Sequence, residues 1–457
     1  MNSLLQYISL YEANAATVDS HSAGALNAAR RAALEQLRSA GRLPDTSDEG
    51  YEKTSVNDLF APDFGVNITR VNIPADVAAS FRCGVPNLSS LLALIVNDRF
   101  FPTEQLVKNC PEGLTVCSLA RAAKEQPSLL EPHYGKIAAA FGADTPTALN
   151  TLLAQDGVLI HVARGVRVAK PLQLVSIFSS SQPLLAARRV LLIAEEGSSI
   201  AILKCDHTQA GAARCLSSEV VEIALGRDAS VEWYDIEEAS PLTGRISQLY
   251  ALQSENTHLN ICASTLTNGS TRNEFRVRTI GPHTRTSLHA MAIGSGDQHI
   301  DNFSSIVHAA EHAHSNQLFK YVLDDKATGA FEGGIEVCPG ARFVEAFQTN
   351  RNILASTGAR MHSKPQLLIY NDDVKCSHGA TTGQLDSDAI FYMQTRGIPL
   401  EEARRMLMQA FMIDVVDSIR LEPLRDRLRH MVERRFSGAS DCGSCASCAN
   451  TPAAVAE

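Results

Sequence analysis

Cys376 and His378 stand two residues apart in Asp373-Val-Lys-Cys376-Ser-His378-Gly-Ala-Thr-Thr-Gly383, a segment otherwise built largely from small residues. A thiol and an imidazole are borderline-soft donors that suit iron, zinc or copper. In an extended strand, residues i and i+2 point to one face, so the pair would share a face with Ser377 turned the other way. Gly379, Ala380 and Gly383 leave room for another backbone or a bound group to come close. The bare pair fits a buried thiol beside a hydrogen-bonded histidine as well.

Three further sets of residues could do chemistry. Cys442-Gly-Ser-Cys445-Ala-Ser-Cys448 repeats a C-x2-C step with small spacers, the pattern that wraps thiolates round zinc or an iron–sulfur cluster. The ferredoxin run would continue to a fourth cysteine where Pro452 stands, so a fourth ligand would come from a second chain or a small molecule. A redox-sensitive tail is the other reading. His299, His308, His312 and His314 fall within 16 positions. His312 and His314 could share a strand face and hold a metal, although polar ladders on solvent faces are common in such sequence. Cys205, Cys215, Cys262 and Cys338 are isolated and read as small buried hydrophobes. No Gly-x-x-x-x-Gly-Lys-[Ser/Thr] and no dinucleotide fingerprint is present, so no nucleotide is expected to bind this chain. No Gly-x-Ser-x-Gly elbow stands out.

The elements that must position these residues change character along the chain. Ala23 to Ala40 reads as a helix, with Leu26, Ala29, Ala33 and Leu37 near helical spacing and Gly41 as its stop. The region up to about residue 150 is mixed, with apolar runs such as Leu91 to Val96 and helical pieces at Ala120 and Lys136. From about Gly157 to Tyr370, short β-rich pieces alternate with Gly, Asp and Ser turns, and no strong helical pattern interrupts them. That texture fits a sandwich, a barrel or a solenoid, and no exact short repeat chooses among them. After Asp386 the pattern turns helical. Ser387 to Arg396 stops at Gly397, and Pro399 suits the first turn of a helix to about Arg420. That helix carries Leu407, Phe411, Val415 and Ile419, with Met408, Met412 and Val416 alongside. A third helix starts near Pro423, with Leu424, Leu428 and Met431 inward. Such a broad apolar stripe either caps the chain's own core or docks into a partner's groove.

The run Lys364-Pro-Gln-Leu-Leu-Ile-Tyr370 through Cys376-Ser-His378-Gly-Ala-Thr-Thr-Gly-Gln-Leu-Asp386, with Ile390-Phe-Tyr-Met-Gln-Thr-Arg-Gly-Ile-Pro399, resembles the SufD family of the SUF iron–sulfur cluster assembly system. Gly296-Asp-Gln-His-Ile-Asp-Asn302, Ser315-Asn-Gln-Leu318, Phe331-Glu-Gly-Gly-Ile335 and Gln348-Thr-Asn350 are similar to it too. The resemblance runs from about Asp156 to Arg420, thins over the first 150 residues and is absent after Phe436. The paralogous SufB pattern has a glutamate after the histidine, where this chain has Gly379. The resemblance implies a right-handed parallel β-helix core with α-helical N- and C-terminal regions. It implies a non-catalytic scaffold subunit that pairs with a SufB-like paralogue. C-terminal helices would bind a SufC-like ABC-type ATPase, which would supply the nucleotide chemistry. Cys376 and His378 would then sit at the paralogue junction and share transient iron or a nascent cluster with the partner. His378 would be the main donor, and Cys376 a supporting thiol or a group that supports the donor from behind. Whether the chain forms a homodimer where the paralogue is missing is left open by the sequence.

The bulk numbers bound these readings. At 457 residues the chain exceeds one compact core of ordinary size. The expected division is 1–150 mixed and helical, 151–385 β-helix, 386–436 helical, and 437–457 a cysteine-bearing tail. A formal net charge of −9 argues against a nucleic-acid or anionic-membrane surface. The first residues lack a charged n-region and a long apolar stretch, and no membrane-length apolar run occurs. With 11 scattered cysteines, a reducing cytoplasm is the expected compartment. The competing classes are a β-helix carbohydrate-active enzyme, which needs carboxylates along a ladder, and a purely structural adaptor.

Overall fold

The structure is a computed structural model that describes residues 2–68, 85, 87–142 and 144–437. Alternation of inward and outward residues from Val158 onward forms strands, and Gly, Asn and Asp turns fold them into flat coils. Each coil contributes one strand to each of two ten-stranded sheets. Coil stacks on coil in parallel, so the chain is mostly β and its core is a parallel β-solenoid. His258, Arg285, His314, Glu345 and Lys375 occupy one column. A coil therefore takes 27 to 31 residues, read from those spacings.

The two ends of the solenoid differ. At the N-terminal end antiparallel strands finish both sheets: Leu114–Ser118 lies against Val158–Val162, and Arg99–Pro102 against Leu91–Val96. These closing strands are 5 and 4 residues long, and short edges resist pairing with other chains. Among the described residues the C-terminal end carries no such closure. Its last strands, Arg360–Ile369 and Lys375–Gly383, have a neighbour on one side only.

Helices cover the outer faces of both sheets. The Gly24–Ala40 helix, stopped by Gly41 at φ 72°, lies with the Ser3–Ser20 and Thr145–Leu153 helices over the first sheet. Leu4, Tyr7, Leu37, Leu149 and Leu152 there meet Leu185, Leu216 and Ile246. The C-terminal helices Leu400–Val416 and Glu422–Phe436 cover the second sheet. Met408, Met412, Val415, Leu424 and Leu428 pack on Leu203, Tyr234, Cys262, Met291 and Val322. Lys320 ties the first of these helices down, donating to Phe411 O at 2.6 Å and pairing with Asp414. The methionine stripe is thus spent on the chain's own sheet. Outward, Leu400, Met406 and Ile413 stay exposed.

The lumen is apolar on much of its wall, with Trp233, Ile261, Leu288 and Phe319 among the fully buried residues. It also holds charge. Lys204 lies 2.9 Å from both Asp206 and Glu219 and 3.3 Å from Asp235. Arg245 bridges to Asp235 at 2.5 Å, and Arg188 to Asp206 at 3.1 Å. Burial alone would raise the Asp206 carboxyl, but Lys204, Arg245 and Arg188 outweigh it and hold it well below the usual range. Removing one member of such a set leaves uncompensated buried charge.

Lys204→Met should lower unfolding free energy by about 3–5 kcal/mol, read from urea denaturation. A second stability prediction concerns His308, sealed in the lumen with Nε2 2.9 Å from Ser315 Oγ. Burial, reinforced by the nearby His314, pushes its pKa down to about 4. The unfolded chain binds that proton near pH 6.5, so stability is full above this value and falls as pH drops toward the folded pKa. Between pH 7 and 4.5, wild type should lose about 2–3 kcal/mol more than His308→Leu.

Candidate functional site

In a stack held together by interstrand backbone bonds, the last coil exposes unpaired N–H and C=O groups along its free edge. Here both edges are long, 10 residues in Arg360–Ile369 and 9 in Lys375–Gly383. Pro365 sits on the first of them, where a residue that cannot donate is tolerated.

Register decides where the side chains go. Cys376 stands beside Ala346 and His378 beside Gln348, and both neighbours are inward and buried. Cys376 and His378 therefore share the inward face, as their spacing predicts, and they lie at the open mouth of the lumen. Cys376 is half-buried in a small apolar cluster with Ile335, Val337, Ala346 and Leu367. Burial raises its pKa, with the Ala346 backbone N–H pulling the other way. His378 is exposed. A Cβ added at Gly379 or Gly383 would meet nothing within 4 Å, so this edge is open to another backbone.

A polar network sets the last coil in place. Ser363 Oγ donates to Asn350 Oδ1 at 2.9 Å, and Asn350 Nδ2 to Asn352 Oδ1 at 3.0 Å. Asn352 Nδ2 reaches Thr382 Oγ1 at 3.0 Å. Asn350 enters the sequence reading only within the Gln348-Thr-Asn350 motif and Asn352 not at all, although their i, i+2 spacing on an inward face is a readable signal. Large aromatic side chains stand exposed near the mouth. Tyr370, at the end of one edge strand, is 58% exposed, and Phe391 and Tyr392, on the helix leaving the other, are 68% and 60% exposed. Aromatic side chains left so open mark a surface that another molecule covers.

Two donors do not complete a metal site. Among the described residues no three His, Cys, Asp or Glu side chains converge on one point. Tetrahedral or octahedral iron needs four or more donors, so Cys376 and His378 form at most half a centre. The upstream histidines disperse. His299 bonds to Thr54 at 2.8 Å, and His308 is in the lumen. His312 sits in a turn, stacked between His283 and Phe343 at 5.0 and 4.9 Å, while His314 tilts against Phe347. Cys205, Cys215 and Cys262 are buried, as expected of isolated cysteines, whereas Cys338 is only partly so. Cys442, Cys445 and Cys448 lie outside the described residues.

Residues 177–411 match the family described as "SUF system FeS cluster assembly, SufBD core domain", and residues 1–174 match "SufBD protein N-terminal region". The chain is 28% identical over 416 residues to an "Iron-sulfur cluster assembly SufBD family protein" of Synechocystis, covering 89% of this chain and 90% of that one. It is 26% identical over 411 residues to the "Iron-sulfur cluster assembly protein SufD" of Escherichia coli, covering 89% and 92%. With the SufD of Bacillus subtilis the identity is 27% over 326 residues, covering 71% and 74%.

Proposed function

The chain belongs to the SufBD family, and from that premise we propose that it is a SufD-type, non-catalytic scaffold subunit that assembles iron–sulfur clusters at its open solenoid end. The observation that carries this reading is the mouth itself: two unpaired edge strands, exposed aromatic residues nearby, and an inward-facing thiol and imidazole that amount to half a metal centre. Every unmet need there, backbone partners, apolar cover and further donors, is of a kind that one polypeptide with a similar edge could supply. A SufB-like paralogue is that partner, and without it a second copy of this chain would use the same edge. Iron, or a nascent cluster, is the shared cargo. His378 is the accessible donor, and the half-buried Cys376 is the supporting thiol.

The ATPase partner is assigned to the outward face of the C-terminal helices, since the methionine face is already covered. Leu400, Met406 and Ile413 on that face suit a helix-in-groove contact. The seven described cysteines are all free thiols, which suits work in a reducing cytoplasm. A sugar-cleaving reading has less support. The carboxylates Asp206, Glu219, Asp235 and Glu237 are each 6% exposed or less and locked inside the lumen, out of reach of a polysaccharide.

Anaerobic co-purification from native cells, with partner identification and metal analysis, tests the whole reading. His378→Ala should leave the complex assembled and weaken iron retention by at least about tenfold. An intact complex that retains iron and assembles clusters as wild type does would remove the ligand role and leave a structural adaptor. Truncation from Gly438 onward assigns any metal held by Cys442, Cys445 and Cys448. On the helical face, the double variant Met406→Glu/Ile413→Glu should weaken ATPase co-elution by about tenfold or more with unchanged thermal unfolding. Met412→Ala should instead cost about 2–5 kcal/mol of stability. Wild-type ATPase retention by the double variant would move the docking site elsewhere.

A further inference from the structure

The lumen column behind His378 changes chemistry as it nears the mouth. Trp233, Ile261 and Leu288 are succeeded in register by Gln317, Gln348 and then His378. Gln317 is 0% exposed and Gln348 1%, yet neither the nitrogen nor the oxygen of either carboxamide has a hydrogen-bond partner. Buried amides are almost always paired, and a leucine or methionine would fill the same volume without leaving polar atoms unmet. Packing therefore gives no reason for an amide at position 348.

Space has been made for it all the same. A Cβ placed on Gly333 would lie 2.5 Å from Gln348 Nε2 and 2.7 Å from its Cδ. The strand Thr328–Val337, facing Gln348 across the lumen from the other sheet, gives up a side chain so that this amide can lie in the lumen directly behind His378. Side chains on one face of adjacent in-register strands stand about 5 Å apart, within reach of a glutamine amide and an imidazole ring nitrogen.

The requirement comes from the imidazole. A histidine that binds a metal through one ring nitrogen carries a proton on the other, and that N–H needs an acceptor to fix the tautomer and the ring plane. We propose that Gln348 is the positioning residue for His378: its Oε1 accepts the ring N–H facing the lumen and turns the other nitrogen outward, toward iron at the junction. Its Nε2 is then free to donate to Oε1 of Gln317 one coil further in, so both polar atoms of the Gln348 amide are satisfied when His378 is engaged. This assignment rests on the reading of His378 as an iron donor.

The test uses the assembled complex with ferrous iron as the probe, under anaerobic conditions. Gln348→Met keeps the volume and removes the acceptor, Gln348→Glu keeps an acceptor, and His378→Ala removes the donor. Gln348→Met should leave the complex assembled, with thermal stability equal to or above wild type, and weaken ferrous iron binding by about 10- to 100-fold. Gln348→Glu should recover most of that loss. In a His378→Ala background, Gln348→Met should have no additional effect. If His378→Ala weakens iron binding while Gln348→Met does not, the positioning role is wrong and the donor role stands. If His378→Ala leaves iron binding unchanged, the donor role and the positioning role fall together. A Gln348→Met complex that loses stability and iron in both backgrounds would mark Gln348 as a packing residue only.

Discussion

A parallel solenoid is held together by the bonds that each coil makes to the next, so its final coil always carries a row of donors and acceptors with nothing to bond. Natural chains blunt such edges with short strands, charges or covering segments. This one does so at its N-terminal end, where Arg99–Pro102 and Leu114–Ser118 close the sheets in antiparallel fashion. At the other end it leaves two long strands bare and places Cys376 and His378 on their inner side. The asymmetry underlies the proposed function: the unfinished end is the one with unpaired edges, and Cys376 and His378, the proposed donors, are there.

The interior supports that end. The early lumen holds a set of buried charges centred on Lys204 and Arg245, each neutralised by carboxylates. The later lumen replaces charge with neutral amides, Asn350 and Asn352 in one network and Gln317 and Gln348 in another column. The first of these networks is closed on itself and sets the last coil. The second is open, with its free atoms behind an exposed imidazole. Helices on both faces spend their apolar stripes on this chain's own sheets.

Much of this was legible in sequence. The i, i+2 spacing of Cys376 and His378 gave their common face once the segment was read as extended. The helix from Gly24, its stop at Gly41 and the inward Leu424, Leu428 and Met431 followed from periodicity. The solenoid did not. Coils of 27 to 31 residues keep only the in–out alternation and no residue identities, so resemblance supplied what spacing could not. The Ser3–Ser20 helix was missed because its apolar residues are diluted by alanine and polar positions. The methionine stripe on Leu400–Val416 showed a broad apolar face, but sequence could not say whose surface it meets. Gln348 was quoted only within a motif, because an unpaired amide becomes visible only when its neighbours are placed.

The central claim is that the open end is a junction at which a second polypeptide completes the centre begun by Cys376 and His378. A structure of the assembled complex from native cells, kept anaerobic, tests it most directly. The account predicts the edge strand Lys375–Gly383 lying against a partner's edge, with His378 and partner donors converging within ligand distance of one point. A complex in which that mouth faces open solvent, with no partner donor near it, would contradict the account.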